Sequence, residues 1–349
     1  MFEQSLTHTF KRYRTLQTDK ITALPIVILM PHSACNCKCV MCDIWKDNKN
    51  LRQLTPADVK KLMISLEKLE TQEVVMSGGE ALLNPNFFNL CRILKSRNIK
   101  VTLLSTGLLL KKHAEDLISN VSEVIVSLDG DEQTHDAIRN IPGAYNKLKE
   151  GVQFIKSISP TYRISGRTVI HQLNFRNWLK IIDSAKDIGL NSISFLPADI
   201  SSHAFNREVL WSEQRQHEIL PDEIELAELK YIIEGIIENY AADFAGGFIA
   251  ESPEKLRKIY SYYAAFYGLN SFPYKKCNAP WVSTVVEADG TVRPCFFHAP
   301  LGNIREQSLE DILNSDESIQ FRKELDMSKN STCIKCVCYL NLSPGTKLN

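Results

Sequence analysis

Net charge is the first thing this chain lacks: over 349 residues, 41 lysines and arginines offset 41 aspartates and glutamates. Without a field of one sign there is no broad attraction to a nucleic-acid backbone or an anionic membrane surface, and any basic patch has to be local. Long apolar runs are missing as well. No stretch reaches the roughly 18 apolar residues that a membrane-spanning helix needs. The segment Met1 to Lys20 is polar, carries Lys11, Arg12 and Arg14, and leads into no apolar region with a cleavage site, so no secretory leader is read there. The expectation is a cytoplasmic protein with neither nucleic acid nor membrane as a partner. In that reducing compartment ten cysteines point away from disulfides and toward metal or redox chemistry.

The cysteines are not scattered. Four fall within Cys35-Asn36-Cys37-Lys38-Cys39-Val40-Met41-Cys42, five lie from Cys277 to Cys338, and Cys91 stands alone as an apolar residue of a helix. Three thiols spaced C-x3-C-x2-C on one tight loop can take three corners of a 4Fe–4S cube and leave the fourth iron open. An open position suits a reactive centre, whereas a structural site is closed by four protein ligands. Half a zinc site would show a plain C-x2-C pair with a matching pair nearby.

From Pro25 to Ser194 short apolar runs alternate with helical periodicity. Strands are expected at Ile26 to Met30, Glu73 to Met76, Lys100 to Leu104, Val121 to Leu128, Tyr162 to Ile170 and Ser192 to Leu196. Thr55-Pro56-Ala57-Asp58 reads as a capped helix start, Asn84-Pro85 as a second, and Gly189 as the glycine that ends the helix carrying Trp178 and Ile188. Six β/α units with right-handed crossovers are two short of a closed eight-fold barrel. The fold class expected is α/β, an open partial (β/α)6 TIM-like barrel, with its chemistry at the C-terminal ends of the strands. Asp222 to Tyr240 and the run from Ser252 to Gly268 read as helices; the tyrosines of the second are core residues, with one or two at a pocket mouth.

Two further stretches follow strands. Met76-Ser77-Gly78-Gly79-Glu80 offers glycines that let backbone approach a ligand closely. Ser127-Leu128-Asp129-Gly130 is followed by Arg139, and a serine and an arginine can meet a carboxylate through charge-assisted hydrogen bonds. His135, between them, reads as a loop residue. Thr106-Gly107 and Leu196-Pro197 are weaker candidates for contacts to an adenine or ribose.

With these stretches in view the chain resembles the radical S-adenosylmethionine (SAM) enzymes. The resemblance implies that Cys35, Cys39 and Cys42 bind a 4Fe–4S cluster whose open iron takes SAM. It places Gly78, Gly79, Glu80, Ser127 and Arg139 around SAM. It also implies reductive cleavage of SAM to a 5′-deoxyadenosyl radical that abstracts hydrogen, fed by a flavodoxin- or ferredoxin-type electron donor. Met41 stands where an aromatic residue is usual, Ala81 where proline is usual, and Cys37 matches no ligand position.

At the C-terminal end Cys277 and Cys295 bracket a hairpin turning at Asp289-Gly290, and Cys333-Ile334-Lys335-Cys336 supplies a second pair. Four thiolates brought together suit zinc or 4Fe–4S alike. The stretch from Val292 to Asn314 resembles the SPASM extension, in which cysteines hold auxiliary clusters. Only Cys338 follows the last pair, so the form is that of a shortened, twitch-like domain with one auxiliary 4Fe–4S cluster on Cys277, Cys295, Cys333 and Cys336, Cys338 being the alternative fourth ligand. The expected organisation is an N-terminal segment 1–24, the barrel 25–197, a helical bridge 198–276 and the cluster domain 277–349. The expected function is oxidative modification of a C–H bond in a small polyol- or sugar-like metabolite, the auxiliary cluster accepting the electron. Maturation of a ribosomal peptide is the alternative substrate class, and a non-enzymatic electron carrier the remote one. Asp199, His203 and Glu251 are polar residues of the right region that the sequence does not rank.

Overall fold

The six apolar runs form parallel strands because helical crossovers join them and cover one face of each. A computed structural model describes residues 6–348; residues 1–5 of the N-terminal segment, and Asn349, lie outside the described residues. The strands are β1 (Ile26–Leu29), β2 (Glu73–Met76), β3 (Lys100–Ser105), β4 (Glu123–Ser127), β5 (Ile164–Ile170) and β6 (Ile193–Pro197). They pair in the order in which they occur, all parallel. β6 does not return to β1, so the barrel stays open, as expected.

The open edge at β1 is used. Its other side pairs in parallel with β7 (Ser283–Val286), which continues antiparallel into β8 (Thr291–Arg293) and β9 (Gly302–Asn303), so the hairpin of the C-terminal segment extends the barrel's own sheet to nine strands. An unpaired edge strand leaves a row of backbone donors and acceptors unsatisfied, and β7 removes that cost for β1. The N-terminal helix Leu6–Thr18 closes the same side: buried Arg12 donates to the carbonyls of Ser343 and Thr346.

One face of each strand packs under the helices. Val27, Leu29, Val74, Met76, Val124 and Val126 are fully buried there, in one core with Leu62, Leu66, Leu90, Leu94, Ile181 and Ile182. The alternate residues, including Val75, Ile125, Ser127, Arg167 and Val169, are only half-buried. On that face the register sets Ser127 beside Arg167 and Arg167 beside Ser194.

Local rules explain several helix ends. Thr55 and Asp58 form a reciprocal cap on Pro56–Lys68, Asp222 and Glu225 do the same for Glu223–Asn239, and Gly189 adopts the left-handed φ of +92° that ends Trp178–Ile188. Two expectations fail. The second helix is Phe87–Lys95 and begins after Asn86, whose side chain makes no cap; Asn84 Oδ1 accepts from the Asn86 N–H at 2.8 Å one turn earlier, while its Nδ2 donates to the Pro31 and Leu54 carbonyls. His135 is no loop residue. It lies in the helix Glu132–Arg139, fully buried, with Asp131 as N-cap. No helix among the described residues is long and apolar enough to cross a membrane.

Candidate functional site

β1 delivers the cysteine loop at its C-terminal end, and the loop is held from several sides. Cys35 N–H bonds to Asn48 Oδ1 and its carbonyl accepts from Asn48 Nδ2, at 3.0 and 2.9 Å. The backbone N–H groups of Lys38 and Val40 bond to the carbonyls of Arg139 and Ile138, each at 3.0 Å. Segment 198–276 seals the remaining side. Arg207 donates to the Met41 carbonyl, Arg215 to the Val40 carbonyl, and Trp211 Nε1 to Asp43 Oδ2. Arg207 itself is buried, paired with Asp199 at 2.5 Å and stacked 3.9 Å from the Trp211 ring. Sequence reasoning missed Arg207 and Trp211 because they lie far along the chain in a stretch without a recognisable pattern.

Burial pushes the Cys35 and Cys42 thiols up to about 12. The Cys39 thiol is drawn down to about 6, chiefly by a hydrogen bond from Cys37 and against its burial, with help from the nearby Arg139 charge. Arg139 Nη1 stands 3.4 Å from Cys39 Sγ. Cys37, off the ligand spacing, is itself buried against Cys39.

The Gly78-Gly79 turn packs directly on this loop. A Cβ at Gly79 would lie 2.2 Å from the Ala34 carbonyl oxygen, and Gly78 has a φ of +110°, so both positions need glycine to bring the turn against the cysteines. Glu80 closes the contact through its N–H to the Ala34 carbonyl at 2.9 Å. Its carboxylate is fully buried and accepts from Leu82 N, Ser105 Oγ, Thr106 N and Thr106 Oγ1. Glu80 therefore ties the turn to the end of β3, and its oxygens face donors of the chain itself. Thr106 also reaches Asn36 Oδ1 at 2.9 Å, joining β3 to the cysteine loop.

Ser127 sits half-buried at the end of β4. Arg139 is buried in a pair with Asp129, two of its nitrogens 2.5 Å from Asp129 Oδ2. Burial works against the guanidinium charge, and the Asp129 carboxylate more than restores it. His135 Nδ1 accepts from Asp129 N–H at 3.2 Å, and burial keeps this ring neutral, its pKa drawn down to about 3.

The second cysteine group also converges. Cys277, Cys295, Cys333, Cys336 and Cys338 line one cavity, with His298 Nε2 3.3 Å from Cys333 Sγ. Cys336 Sγ is 2.9 Å from the Cys338 carbonyl oxygen. All ten cysteines are free. Among the described residues no three His, Cys, Asp or Glu side chains stand close enough to hold one bare metal ion; the five sulfurs are spread around the cavity wall instead. A set of soft thiol donors in a half-buried shell suits an iron–sulfur cluster.

Next to this cavity lies a second one. Arg167 from β5, Leu196 and Pro197 from β6, Glu251, Lys255, Lys258 and Tyr262 from the helix region 251–262, and Val337 form much of its wall. Lys275, Cys338 and Tyr339 belong to the walls of both cavities. Of the polar residues unranked in sequence, Asp199 is locked to Arg207, His203 contacts the Arg207 carbonyl, and Glu251 faces this cavity.

An open parallel barrel with a three-cysteine loop at β1, extended by a hairpin that brings further cysteines together, defines an iron–sulfur enzyme of the SAM-using kind. Comparison with known proteins agrees. Residues 29–185 match the radical SAM superfamily and residues 277–337 match SPASM, an iron–sulfur cluster-binding domain. The chain carries a radical SAM domain and a shortened SPASM-like domain. Its cofactors are a 4Fe–4S cluster with SAM and auxiliary iron–sulfur.

The chain is 24% identical over 330 residues to Fe-coproporphyrin III synthase of Methanosarcina barkeri, covering 89% of this chain and 80% of that protein. It is 23% identical to the sporulation killing factor maturation protein SkfB of Bacillus subtilis, over 86% of this chain and 67% of SkfB. A match at 26% identity to the AdoMet-dependent heme synthase of M. barkeri covers 45% of this chain and 46% of that protein, so the chain spans less than half of that relative. The crystal structure of Streptococcus suis SuiB bound to precursor peptide SuiA shares the fold, with a TM-score of 0.64 at 15% identity over 93% of this chain and 72% of SuiB.

Proposed function

We propose that this radical SAM enzyme oxidises a C–H bond of a small metabolite held between its two iron–sulfur sites. The observation that carries the reading is the second cavity. It begins at Arg167, the register neighbour of Ser127, and ends at Lys275, Cys338 and Tyr339, which it shares with the cysteine-lined cavity. When bound, the first cluster and SAM supply a radical that removes a hydrogen atom, and the auxiliary cluster takes the electron left behind.

The chain's own residues hold these groups in place. Cys35, Cys39 and Cys42 are the proposed ligands of the first cluster, on a loop fixed beforehand by Asn48, Arg207 and Trp211. Gly78 and Gly79 offer backbone carbonyls to the SAM ammonium while Glu80 holds their turn. Ser127 and Arg139 serve the SAM carboxylate. Cys277, Cys295, Cys333 and Cys336 hold the auxiliary cluster within domain 277–349, which follows the barrel 25–197 and the bridge 198–276. A flavodoxin- or ferredoxin-type protein supplies the electron, and the working compartment is the cytoplasm.

The similarity to SkfB supports a second reading, maturation of a peptide, as well as the similarity to Fe-coproporphyrin III synthase supports the first. The test is anaerobic reconstitution followed by incubation with SAM and dithionite. About eight irons are expected, two 4Fe–4S clusters by ligand count, together with 5′-deoxyadenosine. A Cys35→Ala, Cys39→Ala, Cys42→Ala triple variant that still forms deoxyadenosine would refute the assignment. Cell extract split by size then separates the substrate classes: loss of two hydrogens in the metabolite fraction supports the first reading, and in the peptide fraction the second.

A further inference from the structure

The chain as a whole is neutral, yet the second cavity is not. Its wall carries Arg167, Lys255, Lys258 and Lys275 against one carboxylate, Glu251. The charges are poorly matched within the chain. Lys255 Nζ stands 3.5 Å from Glu251 Oε1, and Glu251 Oε2 is already engaged by the Phe195 N–H at 2.9 Å. Lys275 is turned to the Ile334 carbonyl at 3.1 Å and the Tyr262 ring at 5.5 Å, neither of which is an anion. Arg167 has Ser194 Oγ at 3.3 Å, a neutral partner that leaves most of its five donors unused. Lys275 also borders the cysteine-lined cavity, so its charge faces the sulfurs there; among the described residues of the second wall Glu251 is the one carboxylate left for Arg167, Lys255 and Lys258, and it cannot neutralise all three.

Cations gathered in a cavity with low-dielectric walls focus their field on whatever enters, far more than the same charges spread over a surface. Here the walls are Phe195, Leu196, Pro197, Ile259 and Tyr262. The guanidinium of Arg167 adds geometry to charge, because its planar fork matches a carboxylate or phosphate through two parallel hydrogen bonds. Arg167 reaches this cavity from the middle of β5, a rigid position, while Lys255 and Lys258 reach it from the helix Pro253–Phe266.

We infer that the cavity lined by Arg167, Lys255, Lys258 and Lys275 is the substrate pocket and that it recognises an anionic group, a carboxylate or phosphate, on the molecule to be oxidised. This rests on the proposed radical reading for its catalytic meaning, but the anion site itself stands on the cavity. Arg167 grips the anion at the SAM side, and Lys255, Lys258 and Lys275 balance it at the auxiliary side. Anchored in that way, the rest of the substrate lies between Ser127 and Cys338.

The experiment uses the reconstituted holoprotein with SAM bound and follows binding by titration calorimetry. The probes are glutarate, inorganic phosphate, and a short blocked peptide bearing one glutamate; the amide of glutarate is the neutral control. Saturable one-to-one binding of at least one anionic probe is expected, weakening as salt rises and absent for the amide. Lys258→Gln, on an exposed helix position where folding is not at risk, should weaken binding at least threefold, and Arg167→Gln at least tenfold. Lys147→Gln, an exposed lysine of another helix, should leave it unchanged. Preference for glutarate or phosphate assigns the anion to a free metabolite, and preference for the peptide assigns it to an acidic side chain. The inference is overturned if no anionic probe binds, or if the Lys258 and Arg167 variants bind as the wild type does. Deoxyadenosine formation is measured on the same wild-type preparation. Anion binding without cleavage of SAM would overturn the radical reading and keep the site; cleavage without anion binding would do the reverse.

Discussion

Replacing Asp129 by asparagine should be among the most damaging single changes near the cysteine loop. In the native chain two nitrogens of Arg139 reach Asp129 Oδ2 at 2.5 Å, and the side chains are 8% and 0% exposed. Asparagine keeps the shape and removes the charge. The guanidinium is left buried with a neutral amide oxygen and the Cys39 sulfur at 3.4 Å in place of its counter-charge, and arginine cannot relieve the strain by giving up its proton. Breaking a buried pair from one side costs about 3–5 kcal/mol, which for a chain of this size lowers the melting temperature by roughly 4–7 °C. Because the Arg139 and Ile138 carbonyls hold Lys38 and Val40, the loosened helix end also loosens the cysteine loop, so iron retention should fall with stability.

The complementary variant, Arg139→Met, behaves differently with pH. Burial already pushes the Asp129 carboxyl above its ordinary value, and the arginine opposes this. Without the arginine the folded-state pKa rises further above that of the unfolded chain, so the folded state binds the extra proton. Stability then falls as pH rises from the unfolded value near 4 through the raised folded one. Thermal melts followed by circular dichroism under anaerobic conditions should therefore show Arg139→Met more stable at pH 5.5 than at 7.5 relative to wild type, and Asp129→Asn with no such trend. Melts of Asp129→Asn within 1 or 2 °C of wild type (~1 kcal/mol) would refute the reasoning, as would a pH-independent difference between Arg139→Met and wild type.

Gly79→Ala should displace the cysteine loop, since its Cβ would lie 2.2 Å from the Ala34 carbonyl oxygen; iron bound after reconstitution should drop by about one cluster, and full retention counts against the packing described. Glu80→Gln places an amide donor among Ser105 and Thr106 donors and should cost about 1–3 kcal/mol, read as a lower melting temperature with weaker SAM binding; unaltered values in both would show that the tie to β3 is dispensable. Cys37→Ala should leave SAM cleavage largely intact, and its loss would add Cys37 to the working set. In a folded Cys333→Ala, Cys336→Ala double variant, SAM cleavage should survive while substrate oxidation stops, with Cys338→Ala as control; retention of about eight irons, or zinc in protein made iron-replete, would make these cysteines structural.

Much of the barrel is legible in sequence because each strand announces itself locally. Glu73–Met76 and its five companions are short β-branched or leucine-rich runs, each followed by a helical face and a cap such as Thr55-Pro56 or Gly189. His135 reads as a loop residue because Asp129-Gly130-Asp131 has the composition of a turn, whereas Asp131 Oδ1 accepts from Thr134 N–H at 3.1 Å and starts a helix there. The pairing of β7 with β1 has no local sign. A parallel contact between Ile26–Leu29 and Ser283–Val286 is decided by the open edge of the barrel, a property of the assembled sheet.

The same distinction separates the two halves of the site. The proposed cluster ligands Cys35, Cys39 and Cys42 are legible because one cluster demands thiols close together, and a loop meets that demand with residues close in sequence. A substrate pocket has no such requirement. Arg167 faces it only because β5 is in register with β4 and β6, Lys255 and Lys258 because the helix Pro253–Phe266 packs beside β6, and Lys275 because the chain returns there before the hairpin. Each lysine alone is an ordinary charged residue in a chain whose charges sum to zero. Their excess exists only after folding has sorted the charges. The proposed radical chemistry is thus written in the cysteine spacing, whereas the proposed substrate pocket is set by the strand register and the packing of one helix.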